Sequence, residues 1–256
     1  MEFEMLTDRA KTGIFGLDEL IEGGFPRGRT ILLSGSCGTG KSIFGMQFIY
    51  KGVTEHEEPG VFVSFDELPL KIREDMSRFG WNLKELEKND LMTIVDASSA
   101  RAGSPSEEEH ALLPGQLDFD KVLIDILGIA RRIGARRLVL DSIPAMGLQF
   151  ETENEIRKTI LKLSYVLSRS GLTTLLTSEI PEQSLGSGGN LEFSKYGVEE
   201  YIADGVILLN FLGIGSQVNR TMYVRKMRGT KHSTEIHPME ITEKGIVVKK
   251  VEDVFK

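Results

Sequence analysis

The sequence has a single cysteine, and it has no apolar run long enough to cross a membrane. One cysteine excludes an intrachain disulfide and favours a reducing compartment. Residues 1–13 are charged and lack the apolar core of a signal peptide, so we expect a cytoplasmic protein. The formal net charge of −7 argues against a surface covered with nucleic-acid-binding groups, although a local basic patch remains compatible with it. The four histidines and the cysteine show no metal-ligand spacing.

Apolar segments typical of buried strands alternate along the chain with segments of helical period. The predicted strands cover residues 30–35, 60–65, 91–96, 136–141 and 172–178. Apolar stripes over residues 119–133 and 156–167 predict two of the helices between them. This alternation predicts an α/β fold of a mostly parallel central sheet flanked by helices. Four short apolar segments after residue 200, without helices between them, predict a C-terminal antiparallel extension of that sheet.

The polar loops at residues 98–116 and 182–197 both lie inside this pattern, and no segment has the composition of an interdomain linker. We therefore expect residues 1–256 to form one domain. In parallel sheets, ligands bind at the carboxyl ends of the strands. The residues that follow each predicted strand are consequently the first place to look for a functional site.

Residues 35–42, GSCGTGKS, follow a predicted strand, open a predicted helix and match G-x-x-x-x-G-K-[ST] at every fixed position. The glycines let successive backbone N–H groups turn towards phosphate oxygens, and the helix N-terminus adds partial positive charge. We expect Lys41 to reach the β- and γ-phosphates and the Ser42 hydroxyl to ligate Mg²⁺. The residues expected to bind ATP or ADP here are Gly35, Ser36, Cys37, Gly38, Thr39, Gly40, Lys41 and Ser42.

Two further predicted strands end in carboxylates. Asp141 ends the strand at 136–141, where it can hold a Mg²⁺-bound water or the outer shell of the ion. Asp66 and Glu67 follow the strand at 60–65, and one of them can orient and deprotonate the water that attacks the γ-phosphate. The alternative is that this pair caps the helix that begins near Pro69, and the two roles are compatible.

Six segments resemble, in the family's own order, the KaiC-type domains of the RecA-like ATPase superfamily. They are residues 11–42, 62–69, 79–83, 136–142, 196–209 and 226–232. The resemblance extends over nearly the whole chain and implies a single KaiC-like domain. It also implies a ring, usually a hexamer, with ATP bound between neighbouring subunits, and it makes the strand-end acids Asp66 and Glu67 the catalytic pair.

Lys226 and Arg228 are two residues apart and so project from the same face of an extended strand. On their own they would suit a solvated edge strand that discourages aggregation. The resemblance implies instead that they face the γ-phosphate bound by a neighbouring subunit. By position in the family motif, the residues implied to line the neighbour-facing side of the nucleotide are Met227, Thr230, His232, Thr242 and Glu243.

Two departures from the family pattern affect the expected activity. Asp66 stands where many members have Glu, and a side chain shorter by one methylene predicts slow hydrolysis or a dependence on Glu67, since a displacement of about 1 Å can cost roughly a hundredfold in rate. The adjacent Ser and Thr phosphoacceptors of the clock protein's second domain are missing near residues 196–204. Autophosphorylation is therefore not expected.

The leading hypothesis is a ring-forming, Mg²⁺-dependent ATPase whose nucleotide state is read by an unidentified protein partner. A RecA/RadA-type recombination ATPase that binds DNA through residues 182–197 is the first alternative. The acidic net charge and the presence of only Lys195 as a basic residue in that loop disfavour it. A nucleotide-responsive signalling scaffold with negligible turnover is the second alternative, which the short Asp66 keeps open.

Overall fold

The computed structural model of the chain describes residues 8–99, 103, 106–112, 119–148, 150–180, 193–214 and 217–250. The strands are β1 (Arg9–Ala10), β2 (Phe25–Pro26), β3 (Thr30–Gly35), β4 (Gly60–Ser64), β5 (Met92–Asp96), β6 (Arg137–Asp141), β7 (Thr173–Glu179), β8 (Gly205–Ile214), β9 (Gln217–Met227), β10 (Ile236–Thr242) and β11 (Gly245–Val248). Strands β1 and β2 form a separate antiparallel pair.

The helices are α1 (Leu17–Leu20), α2 (Lys41–His56), α3 (Pro69–Ser77), α4 (Leu83–Lys88), α5 (Phe119–Arg132), α6 (Ile143–Gly147), α7 (Glu153–Ser170) and α8 (Glu199–Ile202). None of these described helices is both long enough and apolar enough to pass through a membrane. The five strands predicted before residue 180 agree with the observed bounds to within one residue at each end.

The nine remaining strands of the described residues form one mixed sheet, in the order β11-β10-β9-β8-β3-β7-β6-β4-β5. Strands β8, β3, β7, β6, β4 and β5 are parallel, while β9, β10 and β11 continue the sheet in antiparallel fashion. The prediction of a mostly parallel sheet with a C-terminal antiparallel extension is confirmed.

One detail of that prediction is wrong. The first segment after residue 200, β8, is parallel to β3, and the antiparallel part begins only at β9. The chain returns from the end of β7 to the start of β8 through a connection whose only described helix is α8, a single turn. A turn this short leaves no helical periodicity in the sequence, so the crossover that makes β8 parallel could not be recognised.

The sheet is covered on both faces because its strands are apolar on both faces. Along β3, Ile31 and Leu33 belong to the core beneath α2, α3 and α4, whereas Leu32 belongs to the core beneath α5 and α7. This alternation follows from the two-residue period of a strand. The apolar stripes predicted over residues 119–133 and 156–167 are buried in the second core.

Helix α2 packs closely on the sheet at two glycines. At Gly45, an added Cβ would lie 2.9 Å from Val139 of β6, and at Gly52 it would overlap the guanidinium of Arg137. Arg137 is fully buried and fixed by Glu58 and by the carbonyl oxygens of Lys11 and Phe48. This close approach sets the position of α2, and therefore of the segment that precedes it.

Replacing Gly52 with Ala should destabilise the fold by about 1–3 kcal/mol, because the fixed Arg137 side chain cannot move aside for a new methyl group. The matched control is Gly128→Ala on α5, where an added Cβ meets open space. That control should be neutral or stabilising by up to about 1 kcal/mol, since alanine is the better helix former. Chemical denaturation of both variants measures the difference, and equal stabilities would contradict the packing described here.

Candidate functional site

The carboxyl ends of β3, β4, β6 and β7 meet at one edge of the sheet and form an open cleft of about 970 Å³. Because these strands are parallel neighbours, the residues that follow each of them face the same space. The cleft is lined by Cys37, Gly38, Gly40, Lys41, Ser42, Ile43, Asp66, Glu67, Asp75, Met76, Arg78, Phe79, Asp141, Ser142, Glu179, Arg220, Ile241, Thr242 and Glu243.

The loop from Gly35 to Ser42 connects β3 to α2, as a phosphate-binding loop requires. Gly38 and Gly40 have φ angles of 77° and 103°, a left-handed conformation that side chains with a Cβ rarely adopt. Thr39 is buried, and its hydroxyl donates to the Ser36 carbonyl oxygen at 2.9 Å. The loop is therefore held in its curved shape by its own residues.

Lys41 lies at the start of α2 and folds back over the loop. Its Nζ donates to the carbonyl oxygens of Gly35 and Ser36 at 2.9 and 3.0 Å. Burial lowers the pKa of Lys41, and the negative charges of Glu179 and Asp141 partly oppose that shift. The ammonium group is thus kept inside the cradle, within reach of any phosphate that replaces these carbonyl contacts.

Ser42 and Asp141 face each other across the floor of the cleft. The Asp141 carboxylate accepts a hydrogen bond from the Ser42 hydroxyl and another from Thr177 Oγ1 at 2.5 Å. Thr177 belongs to β7 and Ser42 to the start of α2, so the neighbouring strand and the helix after the phosphate loop fix this carboxylate. Its orientation next to the loop is that of an oxygen ligand for a hard cation. The peptide bond between Asp141 and Ser142 is cis.

Asp66 and Glu67 lie in a tight turn after β4. The Ser64 hydroxyl donates to the Glu67 carbonyl oxygen at 2.7 Å and accepts from the Glu67 N–H at 3.0 Å. Asp66 Oδ2 accepts from Ser142 Oγ at 2.8 Å. The alternative that one of these acids caps the following helix is wrong, because the N-cap of α3 is Leu68 and no side chain caps it.

Burial and neighbouring negative charges raise the pKa of two carboxylates in the cleft, Glu67 and Asp141. Partial burial is the largest cause of the raised pKa of Glu67, and the charges of Asp141, Asp75 and Asp66 raise it further. Burial also raises the pKa of Asp141, although the hydrogen bonds from Thr177 and Ser42 oppose the shift. The cleft therefore holds negative charge at an energetic cost, and a cation would relieve it.

Lys226 and Arg228 do not line this cleft. Met227, between them, pairs with Gly205, which pairs with Ile31 near the start of β3. Four residues along the strand and two strands across the sheet separate Met227 from Gly35, roughly 16 Å. This distance is too great for either side chain to reach a phosphate in the loop of its own chain.

The two cations lie near the connection between α8 and β8. Lys226 Nζ donates to the carbonyl oxygens of Glu200 and Ala203 at 3.1 and 2.7 Å. Arg228 is 57% exposed and lies 3.6 Å from the Asp204 carboxylate. Burial, and after it the charge of Arg228, lowers the pKa of Lys226, so the two groups are electrostatically close.

The five residues implied by the family motif separate into two groups. Thr242 and Glu243 line the cleft of their own chain, whereas Met227, Thr230 and His232 do not. The Met227 side chain is 4% exposed and packs in the core against Gly205, so a contact of Met227 with a neighbour's nucleotide would have to come from its backbone. Thr230 accepts a hydrogen bond from Arg9 at 2.6 Å, and His232 Nδ1 lies 2.8 Å from the Ser233 carbonyl oxygen.

Several cleft residues were missed by the sequence reasoning. Glu179 ends β7 beside Gly35 and could have been found by the rule that strand ends carry ligands. Arg220 of β9 donates to the Gly38 carbonyl oxygen at 3.3 Å. The sequence pattern of that strand does not indicate this contact. Arg78 and Phe79 line the cleft just after α3, and Phe79 lies against Trp81, their ring centroids 4.9 Å apart.

A phosphate-binding loop between a parallel strand and a helix, with carboxylates after the neighbouring strands, defines a P-loop nucleotide-binding protein of the RecA-like type. The family model described as "ATPase: KaiC" matches residues 10–253. The chain belongs to the KaiC family of ATPases.

Individual relatives agree with this assignment. UPF0273 proteins of Aeropyrum pernix and Methanocaldococcus jannaschii are each 41% identical to the chain; the alignments cover 95% and 94% of the chain and 94% and 96% of those proteins. The circadian clock oscillator protein KaiC of Parathermosynechococcus lividus is 35% identical over 93% of the chain, which corresponds to 42% of that protein. The crystal structure of a KaiC-like protein from Pyrococcus horikoshii superposes with a TM-score of 0.82 at 42% identity, covering 95% of this chain and all of that one.

Replacing Glu67 with Gln should raise the melting temperature of the nucleotide-free protein at neutral pH, because it removes a partly buried carboxylate that its neighbours also repel. The pKa of Glu67 is raised in the folded state, so the destabilisation is fully present above that folded pKa. It disappears as the pH falls below the ordinary value of 4.5. Thermal unfolding across this pH range should show a difference between variant and parent that shrinks towards acid pH. The exposed Glu109→Gln control should show none, and a pH-independent difference would contradict this electrostatic account.

Proposed function

We propose that the protein is a Mg²⁺-dependent ATPase whose active site is completed between neighbouring copies of the chain in a ring. One observation carries the proposal. The phosphate loop, Asp141 and the Asp66–Glu67 pair share one cleft at the carboxyl ends of the parallel strands. Lys226 and Arg228 lie near the opposite ends of those strands.

The cleft holds the groups that ATP binding needs from its own chain. The loop from Gly35 to Ser42 offers backbone N–H groups to the phosphates, and Lys41 can exchange its carbonyl contacts for β- and γ-phosphate oxygens. The residues Ile43, Met76 and Phe79 add apolar surface to the same cleft, which suits the uncharged base of a nucleotide.

The residues at the cleft floor fit a magnesium ion that arrives with the nucleotide. Six carboxylates and three basic side chains line the cleft, so a polyphosphate needs an accompanying cation. The described residues contain no group of three or more His, Cys, Asp or Glu side chains that could hold a metal alone. Mg²⁺ commonly uses one or two protein oxygens together with phosphates and waters, and Ser42 and Asp141 supply such oxygens. When bound, the ion would neutralise charge on the phosphates.

Within the acid pair, the contacts favour different roles. Asp66 accepts a hydrogen bond from Ser142, which fixes its direction. Glu67 has a raised pKa and a longer side chain, so it is the better group to accept a proton from the attacking water near neutral pH. This division compensates for the short Asp66 and supports slow turnover rather than its absence.

In the proposed ring, Lys226 and Arg228 add positive charge to the cleft of the neighbouring chain. Negative charge develops on the equatorial γ-phosphate oxygens in the transition state, and Lys41 approaches them from the loop. Arg228 is exposed and cannot reach its own cleft, so the phosphate it would serve belongs to a neighbouring chain. The loop at 182–197, which the DNA-binding alternative requires, lies outside the described residues over 182–192.

The double variant Asp66→Asn with Glu67→Gln should keep ATP bound while turnover falls by roughly a hundredfold or more, because neither amide can accept the proton. Lys41→Ala is the matched comparison and should lose binding as well as turnover. Fluorescence of the single Trp81, which contacts Phe79 at the cleft, can report occupancy, and phosphate release reports turnover.

Parental turnover in the double variant would remove the catalytic assignment and leave the acids as a structural turn. Parental affinity in Lys41→Ala would remove the phosphate-loop assignment. If the parent binds ATP tightly but releases no phosphate, the signalling-scaffold alternative takes its place.

Protomers carrying Arg228→Ala and protomers carrying Lys41→Ala should each be inactive alone and should partly recover activity when co-expressed. In mixed rings, some sites combine the intact cradle of one protomer with the intact cations of the other. Parental activity per protomer should also fall on dilution below the assembly constant. Absence of recovery in rings verified to be mixed, together with flat activity on dilution, would leave Lys226 and Arg228 as solvated edge charges.

A further inference from the structure

Glu199 is a fully buried carboxylate whose function the nucleotide cleft does not explain. It lies at the start of α8 and has 0% of its surface exposed. Four groups donate to its carboxylate: Ser178 Oγ at 3.1 Å, Ser194 Oγ at 2.8 Å, and the N–H groups of Tyr196 at 3.3 Å and Val198 at 3.2 Å. Among the described residues, no basic side chain forms an ion pair with it.

A buried charge is costly unless hydrogen bonds replace the water that it loses. All four donors are neutral: Ser194, Tyr196 and Val198 closely precede Glu199 in the chain, and Ser178 belongs to β7. The hydrogen bonds therefore compensate the charge fully only while the segment before α8 stays against β7. The geometry is that of an anchor. The side chain of Glu199 fixes the start of a one-turn helix that is too short to be stable by itself.

Some contacts of Glu199 and of the segment before α8 lead to the nucleotide cleft. Ser178 precedes Glu179, which lines the cleft next to Gly35. The segment before α8 is also tied to the cleft, because the Tyr196 hydroxyl donates to the Pro144 carbonyl oxygen at 3.3 Å, two residues after Ser142. Glu199 therefore joins α8 to two strand ends that carry cleft residues.

Helix α8 and the residues after it also contact the cation pair, Lys226 and Arg228. The carbonyl oxygens of Glu200 and Ala203, within and after α8, hold the Lys226 ammonium group. The next residue, Asp204, contacts Arg228 through its carboxylate, and its carbonyl oxygen accepts from the Arg228 N–H at 2.8 Å. A shift of α8 would consequently move the groups that hold both cations.

We propose that Glu199 is a positioning residue that fixes Lys226 and Arg228 for action on the neighbouring chain's nucleotide. Through Ser178 it also connects the cleft of each chain to the cations that this chain presents to the next. This inference depends on the proposed function, in which the two cations act on the nucleotide of a neighbouring chain. Glu199 itself touches neither nucleotide nor metal in this assignment.

The test is Glu199→Gln in the full chain. Glutamine keeps the size but offers one acceptor oxygen and adds two donors where four donors already converge, so α8 should shift. The catalytic rate should fall about tenfold or more, as expected for misplacement of a catalytic group, while ATP affinity stays nearly parental because the cradle is untouched. Glu109→Gln, on a side chain that is 87% exposed, is the matched control and should keep the parental rate.

Mixed rings show whether Glu199 acts by positioning the cations for a neighbouring chain or by shaping the cleft of its own chain. Glu199→Gln protomers have an intact cradle, so Lys41→Ala protomers, which supply intact cations, should restore activity. Arg228→Ala protomers should not restore it, because neither member of that mixture has competent cations. The reverse pattern would show that Glu199 serves its own cleft, and a parental rate in Glu199→Gln would show that it positions nothing. Either result overturns the proposal.

Mixed rings of Lys41→Ala and Arg228→Ala protomers serve as the reference in the same experiment. If activity does not recover in this reference mixture, the cations do not act on a neighbouring chain, and the proposal for Glu199 is wrong as well. If activity recovers in the reference but not in the mixture of Glu199→Gln with Lys41→Ala protomers, only the proposal for Glu199 is overturned. Ser178→Ala removes one of the four donors and should give the same pattern with a smaller loss, which keeps the test decisive if Glu199→Gln does not fold.

Discussion

The parallel pairing of β3 with β7, and of β6 with β7 and β4, is the constraint on which the rest of the site depends. A parallel sheet places the ends of successive strands at the same edge, so residues more than a hundred positions apart become neighbours without any loop having to carry them there. The phosphate loop, Asp141 and the acid turn each follow directly after a strand. Their mutual distances are therefore fixed by backbone hydrogen bonds in the interior of the sheet, the most rigid part of the fold.

The electrostatics of the cleft oppose its own stability. Burial and like charges raise the pKa of Glu67 and of Asp141, and burial lowers the pKa of Lys41. A site designed only for folding would avoid this combination. In the proposed function, phosphate would pair with Lys41 and a divalent cation would lie among the carboxylates, so the side chains that destabilise the nucleotide-free protein would contribute affinity for the ligand.

The parts of the site that the sequence predicts are those attached to strand ends. The segment from Gly35 to Ser42 and the carboxylates of Asp66, Glu67 and Asp141 could be located because a strand and its following residues are contiguous in the chain. Contributions from elsewhere could not. Arg220 reaches the loop from β9, and β8 is parallel although the only described helix before it is a single turn. Glu199 is buried against donors such as Ser178, which only the tertiary structure brings near.

The placement of the cations determines the kind of assembly that the proposed function can use. In a two-fold contact, the cleft and the cations of one chain would both have to meet the same partner, although they lie near opposite ends of the parallel strands. The proposed function uses a head-to-tail contact instead, in which the cleft of one chain meets the cations of the next and repetition can close a ring. In the proposed ring, every chain would both receive and supply cations. Within one chain, Asp204 contacts Arg228 and also Arg29, the residue before β3. Because β3 leads from Arg29 to the phosphate loop, it would connect the supplied cations of each chain to the cleft of that chain in the proposed assembly.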